Sequence, residues 1–166
     1  TDISLIVLTV DEGLRGYRRK AIRIARDFCS EKSIGFEALS FKKEFGLTMD
    51  EVANLGDEWR PCTFCGVLRR SLLNRRAREL GAAKIAFGHN LDDMSQSILM
   101  NVVNGDAQRL LRLGPHIKVQ EGLVPRMLPL RMIPESEMTL YADINKIPYL
   151  EKHCPYRPRA HRLGFL

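Results

Sequence analysis

Ile3 to Val10 (Ile-Ser-Leu-Ile-Val-Leu-Thr-Val) is a nearly continuous β-favouring apolar run. A strand apolar at consecutive positions has no face to give to water, so it has to be covered on both sides. Asp11-Glu12-Gly13 ends the run. Tyr17 to Lys32 then reads as an amphipathic helix, with Ala21, Ile22, Ala25, Phe28 and Cys29 at helical spacing and arginines between them. Gly35 closes that helix, and Phe36 to Phe41 is a second short strand. Strand, helix and strand within about forty residues form the βαβ pattern of a parallel sheet.

The later chain continues the alternation. Thr48 to Leu55 is expected as a short helix, with Thr48 as N-cap and Glu51 completing a capping box. A cysteine loop at 61–66 leads into a helix from Val67 to Leu80, ended by Gly81. Lys84 to Phe87 is a third strand, and Gly88-His89-Asn90 opens a helix whose Met94, Ile98, Leu99, Val102 and Val103 form an apolar face. Ala107 to Leu113 is a helical turn, and Gly114-Pro115 begins a loop. Leu123 to Leu130, broken by Pro125 and Pro129, is a short or edge strand. Pro134 at the first helical position opens a last helix to about Lys146. The expected architecture is an α/β fold: a Rossmann-like open parallel sheet with helices on both faces, occupying residues 1–150. A basic irregular tail follows at 151–166. Ligands of such sheets bind at the carboxyl ends of the strands; Asp11-Glu12-Gly13 and Gly88-His89-Asn90 both fall at such ends, which is where chemistry is expected.

The 166 residues suffice for one domain with a real core. No apolar run approaches the ~20 residues that span a bilayer. Thr1 to Val10 lacks the basic n-region and cleavage site of a signal peptide, so the expectation is a cytoplasmic protein with no membrane association. The net charge of +6 favours a polyanionic partner. Its distribution says more: Arg60, Arg69, Arg70, Arg75, Arg76 and Arg78 crowd one stretch, and Lys152, Arg157, Arg159 and Arg162 crowd the C-terminus.

Four cysteines in such a chain point to metal or redox chemistry ahead of structural disulfides. Cys62 and Cys65 form a CxxC whose thiolates can reach one centre, which suits zinc, an iron–sulfur cluster or a redox disulfide. Cys154, between His153 and Pro155, adds a third. Three cysteine ligands on a cubane cluster leave one iron open, while His153 as fourth ligand would complete a Cys₃His zinc site; the residues alone leave both readings standing. Cys29 lies on the apolar stripe of its helix and is expected in the core.

Leu68, Leu72, Leu73, Ala77 and Leu80 span one arc of the 67–80 helix, yet Arg69 and Arg76 fall inside it. Arginine is seldom buried unpaired, so both need anionic partners, from the protein or from phosphate, unless their stems carry the charge outward. Asn90 is a good N-cap, and Asp92 and Asp93 suit the positive end of the helix dipole. Two adjacent carboxylates after a histidine at a strand end also suit Mg²⁺ or proton transfer.

Taken together, Leu-Thr-Val-Asp-Glu-Gly-Leu-Arg-Gly-Tyr-Arg (8–18), Cys-Thr-Phe-Cys-Gly-Val-Leu-Arg-Arg (62–70), Gly-His-Asn-Leu-Asp-Asp (88–93), Pro-Leu-Arg (129–131) and His-Cys-Pro-Tyr (153–156) resemble the PP-loop ATPase family of tRNA 2-thiolation enzymes. The branch is that of the TtuA proteins and the archaeal and eukaryotic cytoplasmic wobble-uridine thiolases. The resemblance implies an adenine nucleotide α-hydrolase-like fold and a tRNA sulfurtransferase that adenylates uridine with ATP and Mg²⁺ before sulfur replaces oxygen. It implies a [4Fe–4S] cluster on Cys62, Cys65 and Cys154, with Zn²⁺ as the alternative in a tRNA-binding module without ATPase activity. Asp93, or its neighbour Asp92, becomes the catalytic carboxylate, and Val10, Asp11, Gly88, His89 and Asn90 become nucleotide contacts. Arg69 stands where some relatives carry a catalytic lysine; it keeps the charge but hardly deprotonates, which leaves it electrostatic stabilisation. Arg70, Arg75, Arg76, Arg157 and Arg159 become tRNA contacts. The sulfur donor would be a ubiquitin-like thiocarboxylate carrier, a persulfide or sulfide, and analogy implies a homodimer.

The family's Ser-Gly-Gly-Lys-Asp-Ser phosphate loop appears nowhere in the sequence. The resemblance therefore implies a fragment that lacks a central N-terminal strand, with weak or no ATP binding as it stands. Two strand edges are expected to be left unpaired.

Overall fold

The computed structural model describes residues 3–56, 61–111, 113 and 121–159. Arg60, Arg162, the Gly114-Pro115 loop and the side chain of Arg159 lie outside the described residues. The chain divides into two compact units, one of Thr1–Leu73 with Lys146–Ala160 and one of Asn74–Asn145 with His161–Leu166. The segment around Cys154, expected as an irregular tail, is thus part of the first unit.

The first unit is built on the expected βαβ. Strand β1 (Ile6–Asp11) pairs in parallel with β2 (Gly35–Ser40), in register from Ile6 opposite Gly35 to Asp11 opposite Ser40. Helix α1 (Arg18–Glu31) connects them and buries Ile22 and Cys29, which puts Cys29 in the core as its stripe implies. The second strand ends one residue earlier than the sequence suggests. Phe41 instead opens a short helix, α2 (Phe41–Phe45), closed by Gly46 in the left-handed conformation at φ 72°. Phe41 is fully buried and packs edge-on to Phe45 at 5.5 Å between ring centroids. Burial, rather than β propensity, decides this turn. Helix α3 (Met49–Ala53) carries the expected capping box, with Thr48 Oγ1 accepting from Glu51 N and Glu51 returning the bond to Thr48 N.

Val10, Leu14, Leu39, Phe41, Met49, Val52 and Leu72 form one buried cluster. Each large apolar side chain buried this way contributes ~1.5–3 kcal/mol. Cys65, Leu68, Cys154 and Tyr156 pack against the same cluster, so the edge of the core is where the cysteines lie.

Helix α4 runs from Pro61 to Glu79, and this corrects the sequence reading. The Cys62–Cys65 stretch is not a loop but the first turn of the helix. Proline is at home at N1, where its missing N–H has no helical partner to lose and its φ is already helical.

In the second unit β3 (Ile85–Ala86) pairs in parallel with β4 (Arg126–Met127), which is all that remains of the strand expected at 123–130. Two prolines flank this pair closely and remove ladder donors. Asn74 is buried and bridges the chain to the approach of β4: its Nδ2 donates to Gly122 O and its Oδ1 accepts from Val124 N, both at 2.9 Å. Helix α5 (Leu91–Val103) is followed by α6 (Ala107–Leu111) and α7 (Glu135–Ile144), with Pro134 as N-cap of α7 rather than its first residue. Only Met94 of the expected apolar face of α5 is buried; Ile98, Leu99, Val102 and Val103 are exposed. Among the described residues β1 and β3 each pair with a single strand, as two separate two-stranded sheets.

Candidate functional site

A short loop after β1 organises the first unit's site. Gly13 has φ +73°, and a Cβ placed there would lie 2.5 Å from Thr48 Cγ2. Only glycine admits this approach. The loop is stitched down on both sides of it: Gly13 N donates to Asp11 Oδ1 at 2.9 Å, Met49 N to Glu12 O at 2.8 Å and Arg15 N to Asp50 Oδ2 at 3.0 Å.

The pinning turns Glu12 inward, where its side chain is 1% exposed. Arg18 Nε lies 2.8 Å from its Oε2, and Arg69 Nη2 lies 2.7 Å from its Oε1. Both contacts are charge pairs without aligned hydrogen bonds to the carboxylate. The donors are aimed elsewhere: Arg18 Nε at Val10 O (2.6 Å), Arg18 Nη2 at Thr9 Oγ1 (2.9 Å) and Arg69 Nη2 at Cys65 Sγ (3.1 Å). The anionic partner that Arg69 requires is therefore a protein carboxylate. Glu12 stands at a strand end where chemistry is expected, but the sequence alone gives it no role. Its signal was the glutamate at the end of an apolar strand, next to a glycine that only a close approach explains.

Cys62 and Cys65, three apart on a helix, share a face. Cys62 Sγ donates to Tyr156 O at 3.6 Å, which brings the 153–156 segment to the start of α4. Cys154 is half-buried and close enough to act electrostatically on both other thiols, whereas His153 is exposed. All four cysteines are free thiols. Burial pushes the Cys62 thiol up, Cys154 adds to the rise, and Arg69 opposes it. Burial likewise raises Cys65, against the Arg69 charge, with Glu12 and Cys154 adding to the rise. For Arg69 burial works against the charged form, but Glu12 and then Cys65 outweigh it and hold the guanidinium firmly protonated.

The donor set fits a thiophilic metal centre: three thiols on one unit, two drawn from a single helical turn, with a cation beside them. Among the described residues no three His, Cys, Asp or Glu side chains stand at the spacing that one ion requires. A tetrahedral zinc ion needs its thiolates about 3.8 Å apart. A cubane cluster takes each thiolate on a separate iron and needs no such convergence.

The second unit holds the other candidates. Asn90 is buried and caps α5, its Oδ1 accepting from Asp93 N at 2.9 Å while Asp93 Oδ2 accepts from Asn90 N at 3.3 Å. Asp92 Oδ2 accepts from Glu135 N at 2.7 Å and so caps the first turn of α7. Gly88 and His89 are exposed, and the His89 ring lies 5.7 Å from that of Phe87. Val10 is buried and Asp11 half-buried in the first unit. Arg76 Nη1 meets Glu79 Oε2 at 2.9 Å, and Arg75 approaches Glu79 at 3.9 Å, so Arg76 finds its anion one turn along its own helix. Arg70 and Arg157 are exposed.

No protein-family model matches the chain. The solved structure of the U34-tRNA thiolase NcsA from Methanococcus maripaludis, with its [4Fe-4S] cluster, matches 98% of this chain and 54% of that one, at a TM-score of 0.82 and 38% identity. Fold and site together define an α/β protein of the adenine nucleotide α-hydrolase type. More particularly, the chain is a homologue of the tRNA 2-thiolation proteins over nearly its whole length. It is 41% identical to a probable sulfurtransferase of Methanocaldococcus jannaschii, over 95% of this chain and 48% of that protein. It is 38% identical to cytoplasmic tRNA 2-thiolation protein 1 of Xenopus laevis (96% and 47%). The tRNA 2-thiolation protein NcsA of Haloferax volcanii is also 38% identical (96% and 52%). The chain spans about half the length of the relatives it matches. Among the described residues no helix is long and apolar enough to cross a membrane.

Proposed function

We propose that this chain is the cysteine-bearing part of a cytoplasmic ATP-dependent tRNA sulfurtransferase that forms 2-thiouridine. The observation that carries the reading is the meeting of Cys62, Cys65 and Cys154 beside Arg69 in one unit of a thiolation-protein homologue. Cys62, Cys65 and Cys154 would hold a [4Fe–4S] cluster. With three protein ligands, such a group supplies an open iron for the sulfur to be transferred.

The chain's own residues prepare that site. α4 presents two thiols from one turn, and in the metal-free chain the Cys62 thiol donates to the Tyr156 carbonyl, two residues from Cys154. Arg69 sets a permanent positive charge next to the sulfur centre, where it favours thiolate and any oxyanion that develops on the target uridine. Cys65 and Cys154 pack on one side against the apolar core, which holds their place beside that charge. Asp93 is the proposed acid–base carboxylate and Asp92 its neighbour; on the resemblance, Val10, Asp11, Gly88, His89 and Asn90 are each proposed as contacts for Mg·ATP in the whole enzyme. Arg70, Arg75, Arg76, Arg157 and Arg159 are proposed to meet tRNA phosphates. The sulfur comes from a thiocarboxylate carrier, a persulfide or sulfide, and the working form is a homodimer.

Anaerobic purification with iron, sulfide and zinc analysis tests the centre. About four irons and four sulfides per chain are expected; a colourless protein with one zinc per chain would refute the cluster and leave a zinc-stabilised tRNA-binding module. Filter binding of labelled tRNA across a salt series tests the partner, with affinity falling steeply as salt rises.

A further inference from the structure

We propose that Glu12 is the positioning residue of the sulfur site: it holds the Arg69 guanidinium against Cys65, with Arg18 as the counter-charge that lets the carboxylate stay buried. This deepens the proposed function and rests on it only in giving Arg69 a task there.

Glu12 is almost completely buried, yet neither of its oxygens receives an aligned hydrogen bond from a described residue. A buried carboxylate in that state is costly unless neighbouring charge compensates it. Two guanidiniums do so at 2.7 and 2.8 Å. They are not equivalent. Arg18 is fixed independently, through Val10 O and Thr9 Oγ1, at the end of β1. Among the contacts described, Arg69 has Glu12 and Cys65, and its side chain is 45% exposed, so solvent is an open alternative. The long arginine stem readily takes its charge outward when the inward partner is lost. Glu12 is what makes the inward orientation the stable one.

The count of charges explains why one carboxylate serves two arginines. One carboxylate against two guanidiniums leaves a single net positive charge, and the Arg69 end of the triad is the end that touches sulfur. That net positive charge is shared between the two arginines, and it reaches the cysteine site through Arg69. Its backbone is as firmly placed as its side chain, through Met49 N on Glu12 O and the Gly13 approach to Thr48.

The test uses the full chain, first free of metal. In ¹⁵N-arginine NMR, with Arg69 assigned by its loss in Arg69→Met, the Arg69 side-chain N–H groups should exchange with solvent at least about tenfold more slowly than those of exposed Arg15. Glu12→Gln should bring Arg69 to the Arg15 rate while the backbone amide of Leu72, buried on the same helix, keeps its protection. Should Glu12→Gln fold poorly, Glu12→Gln combined with Arg18→Met removes opposite charges together, preserves the net charge and should give the same release of Arg69. Arg69 exchange that stays slow in the variant that folds, or that rises only in step with Leu72, overturns the proposal. After iron loading, Glu12→Gln should lower the reduction potential of the centre toward that of Arg69→Met, because the fixed cation has left. A rise, which is what removal of a negative charge alone produces, overturns it. The metal-free measurement stands whichever metal binds, so slow Arg69 exchange in a chain that takes up only zinc would sink the cluster reading and keep the positioning role.

Discussion

The phenol of Tyr156 donates a 2.9 Å hydrogen bond to Asp50 Oδ1 across 106 residues of sequence. The other oxygen of Asp50 accepts from Arg15 N in the loop that carries Glu12. One carboxylate thus ties the Cys154 segment and the Glu12 loop to the same short helix. Tyr156→Phe removes the first of these bonds and leaves Asp50 its second. A charge-assisted bond of this kind contributes about 1.5 kcal/mol, so the variant's urea midpoint should fall by that equivalent. Iron retained after dilution should fall as well, because Cys154 loses an anchor two residues away. An unchanged midpoint and iron content would show that the latch carries nothing.

Gly13→Ala should be among the most damaging single-methyl additions in the chain. It combines a left-handed backbone with a 2.5 Å approach to Thr48, and a cost of about 2–3 kcal/mol is expected. Equilibrium denaturation should show a lower midpoint with an unchanged slope. Gly46→Ala offers a control: its φ is also positive, but nothing lies within 4 Å of its Cβ, so its loss should be smaller.

In the metal-free chain Cys62 and Cys65 should alkylate more slowly than an unstructured cysteine at pH 8, and catch up as the solution is made more alkaline. Burial raises both thiols, helped by Cys154, and for Cys65 also by Glu12. The sign for stability follows from proton counting. Where the folded chain holds its thiol protons and the unfolded chain has released them, stability falls as pH rises. The contribution is whole below the ordinary thiol value and is lost as pH climbs through the raised ones. Arg69→Met removes a charge that lowers both thiols, and should slow Cys65 more than Cys62 because Arg69 touches only the former sulfur. Iodoacetamide labelling followed by mass spectrometry measures each site; faster labelling of Cys65 in Arg69→Met would contradict the assignment.

Asp92 and Asp93 should separate on substitution by asparagine. An amide oxygen can still accept the bonds that Asn90 N and Glu135 N donate, so both variants should keep their thermal midpoints within the equivalent of about 0.5 kcal/mol. With Asp93 as the acid–base group, Asp93→Asn in the whole enzyme lowers thiolation by about 10²-fold or more. Asp92→Asn lowers it much less. Equal losses in the two would remove the distinction.

The βαβ start, the Thr48 capping box, the Asn90 N-cap and the core position of Cys29 were all legible along the chain, because periodicity and capping are local signals; the return bond that makes Asn90 and Asp93 a capping box came only with the structure. The first turn of α4 was not legible as helix, because a CxxC suits a ligand loop as well as a helical turn, although Pro61 fits a helical N1. Phe41 was read as the end of a strand because its β propensity is local, whereas the cavity that makes it helical is not. The apolar face of α5 was legible as a face, but its exposure was not: hydrophobic spacing says that a surface is apolar, not what covers it.

By itself the sequence narrowed the cysteines to metal or redox chemistry, since three thiols beside a basic helix carry that reactivity in their side chains, and it left zinc and cluster both standing. It also singled out Arg69, a guanidinium inside an apolar arc, as needing either an anion or a path to solvent. Tertiary structure alone decided which anion. Glu12 lies 57 positions earlier in the chain, and no periodicity links a strand end to a helical turn at that distance. Burial of Val10 and the close approach at Gly13 turn the Glu12 carboxylate inward, and Coulomb attraction to that buried charge holds Arg69.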